Sequence, residues 1–163
     1  MHYTDTDLYR GIKNGTFHDD VFVVDEAAVP GLLYPRFKAT SYIDRSGQEQ
    51  VSPPDVTVVS APGGDQVEAG GGTSMFTVDG WFGFSEWKYF HVPEGTEYPA
   101  SLLFIKKGKS KRKNKAGDRT GYHYQIEPRN RMTVEAYKGA LDNFARNAVV
   151  KQIALAKGLS GRK

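Results

Sequence analysis

The sequence predicts a single α+β domain, residues 1–163, in which a split and mostly antiparallel sheet packs against one long C-terminal helix. Two patterns carry that prediction. Apolar residues at Val134, Tyr137, Leu141, Phe144, Ala148 and Leu155 recur at helical spacing and make one stripe fit for burial. The segment before it, GYHYQIEP at 121–128, alternates with period two, so Tyr122, Tyr124 and Ile126 share one strand face while His123, Gln125 and Glu127 share the other. A chain of 163 residues can also bury a core without staples.

From the N-terminus, TDLYRGI reads as a short strand, and FVVDEAAVPGLLYP holds a brief apolar run, room for one helical turn, and proline breaks. Residues 44–72 shift to Gly, Pro, Ser and Gln and read as a long loop with one short strand, VTVVS. In GGTSMFTVDGWFGF the Asp79-Gly80 pair separates two apolar runs and predicts a hairpin. The dense aromatics from Phe76 to Phe90 are expected in the core, with one or two left to stack on a flat ligand. VPEGTEYP at 92–99 is a turn-rich connection into the strand SLLFIKK, and the chain re-enters the sheet at 121 after a basic loop. Thr133 suits the helix N-cap and Gly158 its stop. The helix face bearing Asp142, Asn143, Arg146, Asn147 and Lys151 reads as solvated, with docking on a partner as the alternative.

The net charge of +3 hides an asymmetry. Residues 1–105 carry six basic and fifteen acidic side chains, whereas KKGKSKRKNK at 106–115 carries seven basic and none acidic. That run reads either as a nucleic-acid or phosphate-binding arm or as a solvated, mobile loop; it lacks aromatic and base-reading residues of its own. With no cysteine, disulfides, thiolate catalysis and thiolate metal sites are excluded, and a reducing cytosol is a suitable setting. No metal site is expected. No apolar run approaches the roughly 20 residues of a membrane span, and the start MHYTDTDLYR lacks a signal-peptide pattern.

Three separated stretches line up in order: LYRG with Tyr9 and Arg10, GGTS with Thr73 and Ser74, and HYQIEP with His123, Gln125 and Glu127. This ordered set resembles NAD-dependent ADP-ribosyltransferases of the arginine-type toxin class. Together with VPEGT and LDNFARNA it is similar, over almost the whole chain and most strongly at 120–158, to a family of small type VI secretion effector toxins with an ADP-ribosyltransferase-like fold. The resemblance implies a toxin that uses NAD as substrate, with Tyr9, Arg10, Thr73 and Ser74 on the dinucleotide and His123, Gln125 and Glu127 at the reacting centre. It also implies export from the producer's cytoplasm without a signal peptide, action in the recipient's cytoplasm, and a cognate immunity protein, which the basic charge of residues 106–131 predicts to be acidic. The acceptor of the ADP-ribosyl group, protein or nucleic acid, stays open, as does whether His123 or Glu127 is the indispensable group. An alternative from another class is a small ribonuclease toxin pairing His123 with His2, His18 or His91; a third is a noncatalytic interaction domain.

Overall fold

The computed structural model describes residues 2–13, 17–18, 21–22, 31–83, 87–114 and 117–158. Among the described residues fourteen strands precede one helix. The main sheet has five strands in the order β10-β2-β9-β13-β12: β10 is Trp87–Val92, β2 Leu8–Lys13, β9 Thr73–Phe76, β13 Gly117–Pro128 and β12 Leu102–Asn114. Three strands, β14 (Met132–Thr133), β8 (Gln66–Val67) and β7 (Val58–Val59), make a second small sheet. β1 (His2–Tyr3) pairs with β11 (Glu97–Tyr98), β3 (Phe17–His18) with β4 (Val21–Phe22), and β5 (Thr40–Ile43) with β6 (Glu49–Ser52). Every one of these pairings is antiparallel, so the predicted α+β class and split antiparallel sheet hold.

The sheet has a dry face and an open face, and strict alternation sorts residues between them. Leu8 and Ile12 of β2, Met75 of β9, Phe90 and Val92 of β10, and Tyr124 and Ile126 of β13 all enter one core. The helix α1, Val134–Ala156, closes that core with Tyr137, Leu141, Phe144, Ala145 and Ala148. Thr133 caps it as expected, its hydroxyl accepting from the Ala136 N–H, and Gly158 follows its end at φ 73°. Inside the core the Tyr137 hydroxyl donates to the Ile126 carbonyl at 2.8 Å, tying the helix to β13. Residues 31–37 fill the remaining space with Leu32, Leu33, Tyr34 and Phe37.

Several expectations change. Leu155 is exposed, because the stripe runs past the sheet at its last turn, while Ala145 is buried. Asp142 is not merely solvated: its carboxylate accepts from the Gly31 N–H at 3.0 Å and the Tyr34 hydroxyl at 2.8 Å. The 44–72 region holds β6, β7 and β8 rather than one strand, its first turn being set by Asp44, which accepts from Ser46 and Gln48. No hairpin forms at Asp79-Gly80, since β2 lies between β9 and β10 in the sheet. Gly80 instead turns the chain back over the open face, where Tyr89 accepts from the Phe82 N–H and donates to the Gly83 carbonyl. The basic run is not a loop: residues 106–114 are the later part of β12, paired with residues 117–124 of β13, and Lys115 lies outside the described residues. A ladder partner that itself has strand character outweighs the weak strand preference of lysine. The helical turn read into 23–30 lies outside the described residues.

Tyr137→Phe should cost about 1–3 kcal/mol of stability, because a carbonyl at this depth would lose its donor with no water to replace it. Urea unfolding of the two proteins measures this; equal midpoints would show that the bond is not a structural tie.

Candidate active site

Neighbouring strands β9 and β13 are in register over His123↔Phe76, Tyr124↔Met75, Gln125↔Ser74 and Ile126↔Thr73. Residues directly opposite in an antiparallel pair project to the same side. Ser74, Phe76, His123, Gln125 and Glu127 therefore share the open face, and Thr73 the core face. The His123 Nε2 and Ser74 Oγ are 3.0 Å apart; Ser74 donates when Nδ1 carries the ring proton and accepts when Nε2 does. The His123 ring lies on Phe76, with centroids 5.0 Å apart, and Phe76 in turn lies on Trp81 at 4.6 Å. A stack of three rings thus orients the imidazole.

At the end of β13 the Glu127 carboxylate is buried and fixed from two sides. The Gln125 amide donates to one oxygen at 2.8 Å and the Gly70 N–H to the other at 3.1 Å. Gly72 makes that approach feasible: a Cβ there would sit 1.8 Å from the Ile126 carbonyl oxygen, so only glycine lets this loop lie against β13. On β12 a bulge at Lys107 brings Gly108, which has no side chain, opposite His123. Burial, and then the charge of Lys107, push the His123 pKa below its ordinary value of 6.5.

Arg10 and Thr73 hold the site from behind. β2 and β9 pair only at Tyr9↔Phe76, and the strands part beyond it. Arg10 occupies the gap, its Nη1 donating to the Ser74 carbonyl at 3.5 Å and its Nη2 to the Tyr34 carbonyl at 2.9 Å. Its Nε is buried without a partner, and burial lowers its pKa to about 10, so it stays charged at neutral pH. The Thr73 hydroxyl donates to the Leu33 carbonyl at 2.6 Å. Loop carbonyls that no strand pairs with are satisfied by these two side chains. Ser74 is the common point, its carbonyl facing Arg10 and its hydroxyl facing His123.

Residues 4–153 match the family described as Tse2 ADP-ribosyltransferase toxin. The chain belongs to this family. It is 31% identical over 164 residues to Toxin Tse2 of Pseudomonas aeruginosa, an alignment covering 96% of either chain. As a member of the Tse2 family it is a bacterial toxin and an ADP-ribosyltransferase.

Within this Tse2-family fold the sequence-predicted residues fall into two connected groups. Ser74, His123, Gln125 and Glu127 meet on the open face, with Tyr9 one strand further along it; Arg10 and Thr73 reach them from the core side through Ser74 and its neighbours. Sequence reasoning missed Phe76 and the glycines at 70, 72 and 108. The signal for the glycines was the GGG run at 70–72, which a loop does not need unless a backbone passes close by. The histidines offered for a ribonuclease do not gather: His91 is on β10, three strands from β13, paired with Asp7 at 3.1 Å and stacked on Tyr9, while His2 stacks on Tyr98. The side chain of His18 lies outside the described residues. Among the described residues no cluster of His, Asp and Glu suits a metal ion.

A depressed histidine pKa means that the unfolded chain takes up the proton first as pH falls. The neutral imidazole therefore contributes stability that is present above about pH 6.5 and is lost as pH drops below it, down to the folded value. In an NMR titration the His123 midpoint should lie below 6.5 and move up in Lys107→Ala. A midpoint at or above 6.5 would mean that the ring is neither desolvated nor influenced by Lys107.

Proposed function

We propose that the protein is a toxin that transfers ADP-ribose from NAD, with its reacting centre on the open face of β9 and β13. The observation that carries this reading is the fixed Glu127 carboxylate, two residues along the same face from Gln125 and four from the His123–Ser74 pair. Cleavage of the bond between nicotinamide and ribose sends the bonding electrons to the departing ring and leaves positive charge at the ribose until an acceptor attacks. A carboxylate already aligned by two donors stabilises that charge with little reorganisation. Gln125 keeps the carboxylate pointed and is placed to orient the acceptor. His123, neutral near pH 7, holds Ser74 and can accept a proton.

The residues suit a dinucleotide. The His123 ring, at the outer end of the stack on Phe76 and Trp81, offers a flat surface for the nicotinamide, and Tyr9 adds a ring on the same face of the sheet. The unpartnered Arg10 Nε is a donor that a phosphate oxygen entering the gap between β2 and β9 would satisfy. Thr73, committed to Leu33, positions Ser74 rather than meeting the ligand.

On this reading the toxin is a type VI secretion effector made in the producer's cytoplasm and active in the recipient's, and a cognate immunity protein restrains it in the producer. Among the described residues no helix is long and apolar enough to cross a membrane. Lys106, Lys107, Lys109 and Lys111 are exposed on β12, the edge strand next to β13, so an immunity surface that covers that edge is acidic.

Incubation of purified protein with NAD should release nicotinamide. Glu127→Gln should slow release about a hundredfold, on the order of 3 kcal/mol of transition-state stabilisation, and His123→Ala should also abolish toxicity with the fold retained. A Glu127→Gln protein of full activity would remove Glu127 from the chemistry and leave His123 as the central group. For the immunity complex, raising salt from about 0.05 to 0.5 M should slow association tenfold or more as screening shortens. A rate insensitive to salt would place recognition on apolar contacts instead.

A further inference from the structure

On the core side of the sheet, lined in part by Tyr98 and Phe104 that pack on Phe144 of the helix, lies a cavity of about 300 Å³ that plays no part in the chemistry above. Tyr3, Asp5, Tyr98, Phe104, Lys106 and Tyr124 are among its lining residues. That volume is at the low end of the range of roughly 300–1,000 Å³ for small-molecule sites, enough for one flat ring with a sugar. Four aromatic rings, one ammonium and one carboxylate are an unusual lining for a structural void.

The bulge at Lys107 connects this cavity to the basic ribbon. Before it, Lys106 stands opposite Tyr124; after it, Lys109 stands opposite Tyr122 and Lys111 opposite Thr120. Opposed residues share a face, and so do alternate residues of a strand, so Lys106, Lys109 and Lys111 form one row on the side of Tyr122 and Tyr124. Without the extra residue, Gly108 and Ser110 would hold those positions and the lysines at 109 and 111 would face the other way. All three lysines are exposed, and no salt bridge engages them among the described residues. The Lys106 ammonium sits 4.1 Å from the centre of the Tyr122 ring, at the junction of row and cavity. The aromatics that the basic run lacks in sequence are supplied across the ladder.

We propose that this face is a binding site for single-stranded nucleic acid, with Lys109 and Lys111 on successive phosphates and one base seated among the rings of the cavity. A cationic track beside exposed rings is what sequence-tolerant strand binding needs: charge for the backbone and π-faces for the bases. Same-face positions about 6.8 Å apart along a strand give a spacing that an extended polynucleotide backbone can follow. Asp5 at the rim accepts from a base amine or a sugar hydroxyl, groups that a nucleotide has and a simple polyphosphate lacks. The site lies on the opposite side of the sheet from His123, so it is separate from the NAD-cleaving centre.

The test is fluorescence anisotropy of the full chain, without NAD, against labelled 12-nucleotide single-stranded RNA and DNA, a duplex of equal length, and inorganic polyphosphate as competitor. The expected result is saturable single-strand binding that the duplex and polyphosphate of equal charge compete for poorly. RNA binding tighter than DNA would identify RNA as the source, and the reverse would identify DNA. Lys109→Ala with Lys111→Ala should reduce the slope of log affinity against log salt by about 1.4, two phosphates at roughly 0.7 each. Tyr122→Ala should weaken binding about tenfold while Tyr122→Phe restores it. The inference is overturned if no single strand binds at low salt, if polyphosphate competes equally and Tyr122→Ala changes nothing, or if the lysine substitutions slow immunity-protein capture alone. Because NAD is absent throughout, failure here leaves the transferase reading as it was.

Discussion

The bond from the Tyr137 hydroxyl to the Ile126 carbonyl is the constraint on which the rest of the molecule depends. It joins α1 to β13, a strand that carries core residues on one face and His123, Gln125 and Glu127 on the other. Tyr137 is fully buried, and Ile126 with Tyr124 projects into the same core. Because a strand alternates strictly, anchoring 124 and 126 on the dry side obliges 123, 125 and 127 to present themselves on the other. A slip of one residue would turn His123 and Glu127 into the apolar core and move Ile126 out of it. Packing energy at the helix is thus spent on holding polar groups in place on the far side.

Ser74 does for β9 what Ile126 does for β13. Its strand neighbour Thr73 is locked to the 31–37 loop, its carbonyl receives Arg10, and only its hydroxyl is turned to the open face. Arg10 spans the point where β2 and β9 separate, so a charged fork stands where two backbone ladders would otherwise meet. The cost of burying that charge is offset by two carbonyls and leaves one donor over.

Much of this was legible in the chain and some was not, for physical reasons. The alternation of 121–128 and the spacing of 134–148 are local, and local periodicity reports which face is apolar. Both faces of β13 could be read in that way, as could the cap at Thr133. Strand order is not local: nothing in GGTSMFTVDGWFGF states that Leu8–Lys13 will insert between β9 and β10, so the turn signal at Gly80 reads locally as a hairpin. The basic run reads as a loop because lysine favours solvent, whereas its conformation is dictated by residues 117–124 across the ladder. For the site, the candidate residue types could be read in order along the chain, but the division of Thr73 from Ser74 and of Arg10 from Tyr9 between faces needed the register.

The ribbon formed by the far ends of β12 and β13 has a further consequence. β12 is an outermost strand of the main sheet, and along its outer side among the described residues no other strand pairs with it. A thirteen-residue edge of this kind is a template on which a second chain could add a strand and begin to aggregate. Lysines at 106, 107, 109 and 111 set like charges against any approaching copy, and the bulge at 107 interrupts the flat register that stacking requires. Mutual repulsion between edges therefore keeps this protein dispersed, so neutralising the ribbon would carry a solubility penalty quite apart from any partner it meets.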